Sequence, residues 1–266
     1  MSEMPCMPES IEVPGHAQPF VHDDPTGRSL HFSMDAMQSL MSCQRPFDLA
    51  LPYTKTMMAF LLAKPRPAHI LMIGLGGGSL AKFCYQNFPQ TRITVVEINP
   101  HVIAMRQQFL IPDDDERLQV VCADGADFVR DAQPGFDVIL VDGFDARGLS
   151  LQLCTPAFYE NCWRIMTPSS VLVVNLDNEN PAHPVVVDRI NQTFEGNFVE
   201  INVLDRNNSI AFANKGIPIS SHGMSLSWSL GHHALEARSQ LQSELQRILQ
   251  ILDSRQPLGQ VTCEVP

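Results

Sequence analysis

The apolar run ILMIGLGGGSLAKF, Ile70 to Phe83, breaks into glycines at its centre and then resumes with helical spacing. A strand, a sharp turn and a helix in succession satisfy that pattern. At Gly74, Gly76, Gly77 and Gly78 no Cβ blocks the backbone, so a ligand can approach it closely. The GxGGG spacing alone also fits a helix packed tightly against a sheet. A second apolar run, RITVVE, ends in Glu97, where an acid can accept hydrogen bonds from both hydroxyls of a ribose. Together the two runs place a nucleoside site between adjacent parallel strands.

The rest of the chain alternates in the same way. Strands are expected over Ile93–Glu97, Leu118–Ala123, Phe136–Val141 and Val171–Leu176, with helices over Pro100–Phe109, Asp124–Asp131 and Pro156–Met166. Continuous apolar strands separated by helices specify a doubly wound α/β fold with a mostly parallel sheet. The runs Val199–Leu204 and Ser209–Ala213 are too close for a helical crossover and should pair antiparallel. That gives a seven-stranded sheet of the S-adenosylmethionine-dependent methyltransferase type. Upstream, Tyr53–Ala63 reads as a helix. Arg28–Phe32 and Ala36–Cys43 read as two short strands, and proline-rich Met1–Pro25 reads as an arm without regular structure. The expected division is an arm and small β element over 1–50 and a Rossmann-like domain over 51–266. Leu230, Ala234, Ala237, Leu241, Leu245, Ile248 and Leu252 step by helical intervals, marking one long amphipathic helix for core or dimer packing.

Composition narrows the partners. A net charge of −11, from 29 acids against 18 bases, disfavours a nucleic-acid partner and suits a cationic substrate, although acidity also simply promotes solubility. The seven cysteines never form CxxC, and several fall in apolar runs, consistent with free thiols in a reducing cytoplasm. The nine histidines show no metal-binding spacing, so no metal is expected. Neither an export signal nor a membrane-spanning run is apparent.

In such a sheet ligands bind beyond the carboxyl ends of the strands. Asp124 there can accept from an adenine amino group, cap the following helix, or do both. Asp142 and Asp145 follow the fourth strand on one loop. Two carboxylates that close can hold an ammonium and take its proton, given burial or repulsion that raises one pKa.

The segments ILMIGLGGGS, VVEINP, ADGADF and ILVDGFDARG, in that order, resemble the spermidine synthase family, the polyamine aminopropyltransferases. AMQS at Ala36–Ser39 and PYTK at Pro52–Lys55 extend the resemblance, which covers roughly residues 28–215. It implies that Glu97 holds the ribose and Asp124 the adenine of the donor, with Ile98 and Gly125 alongside. Asp142 would deprotonate the attacking amine, Asp145 would anchor the diamine, and Gln38 and Tyr53 would line the substrate pocket. A homodimer built on the N-terminal β element is also implied. Two departures stand out. Gly77 replaces an aspartate that in the family grips the amino group of decarboxylated S-adenosylmethionine, and Lys55 replaces a glutamate. Three functions are therefore compatible with the residues: aminopropyl transfer to a polyamine such as putrescine, methyl transfer from S-adenosylmethionine to an amine, and non-catalytic nucleoside binding.

Overall fold

A computed structural model describes residues 16–33, 36–145, 148–204, 207–216, 218–219 and 224–255, apart from the side chains of Ala36, Asp145, Gly148 and Leu149. Most of the expected N-terminal arm, residues 1–15, lies outside that description. Its end is regular, contrary to expectation. Strand β1 (Phe20–Asp24) pairs antiparallel with β2 (Gly27–Ser33), which pairs with β3 (Ala36–Met41). Pro25 here starts a turn: Asp24 Oδ1 accepts from the backbone N–H groups of Thr26 (2.7 Å) and Gly27 (3.0 Å), closing a hairpin between β1 and β2.

Helix α1 (Pro52–Met57) tightens into a 3₁₀ turn over Met58–Leu62, all of it buried, where one continuous helix was expected. The alternating pattern follows: β4 (His69–Ile73), α2 (Ser79–Asn87), β5 (Arg92–Glu97), α3 (Pro100–Ala104), β6 (Leu118–Cys122), α4 (Gly125–Asp131) and β7 (Phe136–Val141). A short hairpin of β8 (Phe144–Asp145) and β9 (Gly148–Leu149) precedes α5 (Pro156–Ile165) and the long β10 (Met166–Asp177). Helix α6 (His183–Thr193) follows, then β11 (Phe198–Asn202), β12 (Asn208–Lys215), α7 (Leu226–Leu230) and α8 (Leu235–Ser254).

The large sheet has seven strands in the order β11-β12-β10-β7-β4-β5-β6. β12 runs antiparallel to both its neighbours, and the pairs formed by β10, β7, β4, β5 and β6 are parallel. Successive side chains of a strand point to opposite faces, so apolar runs without polar interruption bury both. Ile70 and Met72 of β4 accordingly join Val138, Leu140 and Val173 in a core shared with α1, α2 and α8. Leu71 and Ile73 join Ile139, Val141 and Leu172 in a second core under α4, α5 and α6. Leu30 and Met41 of the small sheet belong to the first core, which ties that sheet to the main body.

The C-terminal stripe is broken rather than continuous. The chain leaves helical pairing at Gly231, and Ala234 is exposed, while Leu230, Ala237, Leu241, Leu245, Ile248 and Leu252 are all buried in the first core. That stripe is therefore core packing within one chain.

Gly74 fixes the turn after β4. Its φ is +99°, its N–H donates to the Val96 carbonyl at 2.8 Å, and a Cβ there would overlap the Asp142 carbonyl oxygen. Replacing Gly74 with alanine is expected to cost about 2 to 4 kcal/mol, through a strained φ and a clash with backbone that cannot rotate away. Urea unfolding measures it; a loss below about 0.5 kcal/mol would contradict the assigned turn.

Candidate active site

The carboxyl ends of β4, β5, β6, β7 and β10 open onto one cavity of about 560 Å³, within the range of sites that enclose a nucleotide-sized ligand. Gly74 and Gly76 form part of its wall; β3 contributes Met37, Gln38 and Ser39, and α1 contributes Tyr53 and Thr54. Glu97, Ile98, Asp124, Gly125 and Asp142 also line it. Among the described residues of the wall there are three carboxylates and no lysine or arginine.

Glu97 is 8% exposed and is held by backbone donors. Its Oε2 accepts from Leu75 N–H and its Oε1 from Asn99 N–H, both at 2.8 Å. Burial raises its pKa, and the surrounding backbone N–H groups oppose that rise. The backbone N–H groups of Gly76 and Ile98 also act on this carboxylate, which stands on the cavity wall. Asp124 is the N-cap of α4: Oδ1 accepts from Ala126 N–H (2.7 Å) and Asp127 N–H (3.2 Å). The cap engages only Oδ1, so capping and ligand binding are compatible in one residue.

Asp142 follows β7, with its backbone N–H donating to the Ile73 carbonyl at 2.8 Å. Tyr53 Oη donates to its Oδ2 at 3.1 Å, and Asn175 Nδ2 donates to its Oδ1 at 2.8 Å. The residue keeps some surface on the cavity, but burial dominates and raises the carboxyl pKa; the hydrogen bonds from Asn175 and Tyr53 limit the rise. Tyr53 is pushed well above the usual phenol range by burial first, then by the Asp142 charge and their hydrogen bond, so it remains a donor. A carboxylate of raised pKa, oriented from both sides, is suited to take a proton from an ammonium. Tyr53→Phe removes one donor to the ionised form, so the Asp142 pKa should rise further. The acid limb of a kcat/KM profile should then move to higher pH by about one unit; an unmoved limb would remove Tyr53 from that role.

Several expected residues stand elsewhere. Gly77 and Gly78 are not on the cavity wall. A Cβ on Gly77 would stand 2.6 Å from Ser39 Oγ and 2.9 Å from Phe109, and one on Gly78 2.5 Å from Ile111. These two glycines admit close packing, and Ser39, itself on the cavity wall, occupies the space of a side chain at 77. Lys55 is also absent from the wall. Its charge acts on Glu244 of α8, where burial raises the carboxyl pKa. Hydrogen bonds from Arg247 and Thr56, with the charges of Arg247 and Lys55, outweigh that and hold the carboxyl below its ordinary range. Asp145 lies on β8 by its backbone, and its side chain is outside the described residues. Asn175, Asn208, Phe144 and Gln152 line the cavity without having been singled out from the sequence. No group of histidines, cysteines and acids among the described residues could hold a metal ion.

The sheet order, with one reversed strand beside the last parallel one, defines an S-adenosylmethionine-dependent methyltransferase-type fold, here with an acidic cavity at its strand ends. The model of the spermine/spermidine synthase domain matches residues 51–205, and the chain belongs to that family. A polyamine aminopropyltransferase of Chromobacterium violaceum is 38% identical over 192 residues, spanning 72% of this chain and 74% of that protein. A probable spermidine synthase from Corynebacterium glutamicum superposes with a TM-score of 0.67 at 19% identity, over 93% of this chain and 95% of the other. A spermidine synthase in complex with the transition state analogue AdoDATO gives a TM-score of 0.56 at 19% identity, over 88% and 83%. At those identities the two structures bear on the fold alone.

Proposed function

We propose that the protein transfers the aminopropyl group of decarboxylated S-adenosylmethionine to a polyamine such as putrescine. The observation that carries this reading is the Asp142 carboxylate, held by Tyr53 and Asn175 on the wall of a cavity whose described residues include three carboxylates and no lysine or arginine. The amine nitrogen attacks the methylene next to the sulfonium. The C–N bond forms, the C–S bond breaks with its electron pair left on sulfur, and Asp142 takes the ammonium proton. Neutral methylthioadenosine leaves. Catalysis consists of alignment, proton removal and exclusion of water.

Glu97 holds the ribose and Asp124 the adenine amino group in this reading, with Gly74, Gly76, Ile98 and Gly125 forming the surrounding wall. Gln38 and Tyr53 shape the acceptor side, and Asp145 takes the distal ammonium by resemblance. A homodimer and a cytoplasmic location are part of the same proposal; no helix among the described residues is long and apolar enough to cross a membrane.

Methyl transfer drew its support from the loss of negative charge at Gly77 and Lys55 beside the donor tail, and neither residue is on the cavity wall. Calorimetric titration with S-adenosylmethionine, its decarboxylated form and methylthioadenosine tests the choice. The extra carboxylate of S-adenosylmethionine would meet like charges in a partly desolvated cleft, so the decarboxylated donor should bind at least tenfold more tightly, about 1.4 kcal/mol. Equal or reversed affinities would contradict the proposal.

A further inference from the structure

Asn175 is 2% exposed and its amide bridges two other side chains: Nδ2 donates to Asp142 Oδ1 at 2.8 Å, and Oδ1 accepts from Asn208 Nδ2 at 3.1 Å. Strand register makes this possible. Asn175 of β10 pairs with Ile210 of β12, and Asn208 pairs with Asp177, so the two asparagines are diagonal neighbours on one face of the sheet. The Asn208 backbone is fixed as well, its carbonyl accepting from Val203 N–H at 3.0 Å.

Hydrogen-bond polarity then runs in one direction. An ionised carboxylate only accepts, so Asn175 must turn its amino end toward Asp142. Its carbonyl end consequently faces Asn208, which must donate. A flipped Asn175 would set its carbonyl oxygen against the carboxylate and leave its amino end facing the Asn208 donor. We infer that Asn208 is a positioning residue for the base: acting through Asn175, it fixes the amide that orients Asp142 and sets its basicity. The inference rests on the aminopropyl-transfer reading for what that basicity serves, and on the asparagine geometry for the rest.

Among the described residues, the titratable groups near Asp142 are the Tyr53 phenol from α1 and, elsewhere on the cavity wall, His16 ahead of β1, Glu97 after β5 and Asp124 at the start of α4. None of them replaces a donor to Oδ1. Loss of the Asn208 donor leaves the Asn175 carbonyl buried and unpaired and frees the amide to turn. The Asp142 carboxylate then loses a donor that favours its charged form, and its pKa rises.

Two variants test this, Asn208→Ala and Asn208→Leu, the second keeping side-chain bulk so that packing is maintained. The Asp142 carboxyl is followed directly by ¹³C NMR of aspartate-labelled protein, assigned with Asp142→Asn. The pH profile of kcat/KM is measured with decarboxylated S-adenosylmethionine and putrescine. Both variants should titrate Asp142 roughly half to one pH unit higher than wild type, with the acid limb displaced equally. Wild-type titration in both folded variants would overturn the inference. A displaced titration in a protein whose wild type transfers no aminopropyl group would support the positioning role and overturn the activity it serves.

Discussion

Asp142→Asn should lower kcat by about 10²- to 10⁴-fold while leaving methylthioadenosine affinity within about twofold of wild type, as expected for removal of a general base. The substitution is nearly isosteric and its hydrogen bonds can persist. The new carbonyl oxygen can still accept from Asn175 Nδ2, and the new amino group can donate to the Tyr53 oxygen, which is itself buried and stays protonated. What is lost is the capacity to take a proton. The acid limb of the pH profile should disappear with it, because no carboxyl remains there to titrate. Steady-state release of methylthioadenosine measures the rate, and calorimetry measures the affinity. An asparagine variant within tenfold of wild-type kcat would show that the amine loses its proton elsewhere.

Glu97→Ala should weaken nucleoside binding by about 1 to 3 kcal/mol, since two ribose hydroxyls lose their acceptor in a largely desolvated cleft. A second consequence follows from the structure. Glu97 also accepts from Leu75 N–H and Asn99 N–H, so the alanine variant leaves two backbone donors without their acceptor and should unfold at lower urea concentration. Glu97→Gln is the milder test, because its carbonyl oxygen can keep one of the two backbone hydrogen bonds while its amino group, a donor only, faces the other N–H. Calorimetry on both variants with methylthioadenosine, alongside urea unfolding, reads the two losses independently. Unchanged affinity in folded Glu97→Ala would remove the residue from the site.

The parts of this site that were legible in the sequence are those governed by local rules. A strand ending in glycines, an acid at the next strand end and an aspartate opening a helix each follow from backbone geometry within a few residues, and Glu97, Asp124 and Asp142 do line one cavity. The direction of a missing side chain was not legible. Gly77 neighbours cavity-lining residues in sequence, yet its absent Cβ faces Ser39 and Phe109, contacts set by β3 and by the turns after α3. Lys55 likewise is one residue from Thr54 on a helix, which rotates it off the cavity wall. Asn175 was hidden for another reason: inside an apolar strand it looks like an interruption, and only the reversed strand β12 brings Asn208 to it. Helix α6 buries only Val186 and Ile190, too sparse a stripe to mark its face. The β1 strand escaped notice because prolines counted against regular structure, although Pro25 sits in the turn where proline is favoured.

Transfer of an aminopropyl group and transfer of a methyl group from this acidic cavity leave different sulfur-containing products. Purified protein is incubated with putrescine and with either decarboxylated S-adenosylmethionine or S-adenosylmethionine, and the products are identified by mass spectrometry. Methylthioadenosine and spermidine are expected in equal amounts from the decarboxylated donor, with Asp142→Asn forming neither at a comparable rate. S-adenosylhomocysteine together with a methylated amine, formed from S-adenosylmethionine, would contradict aminopropyl transfer.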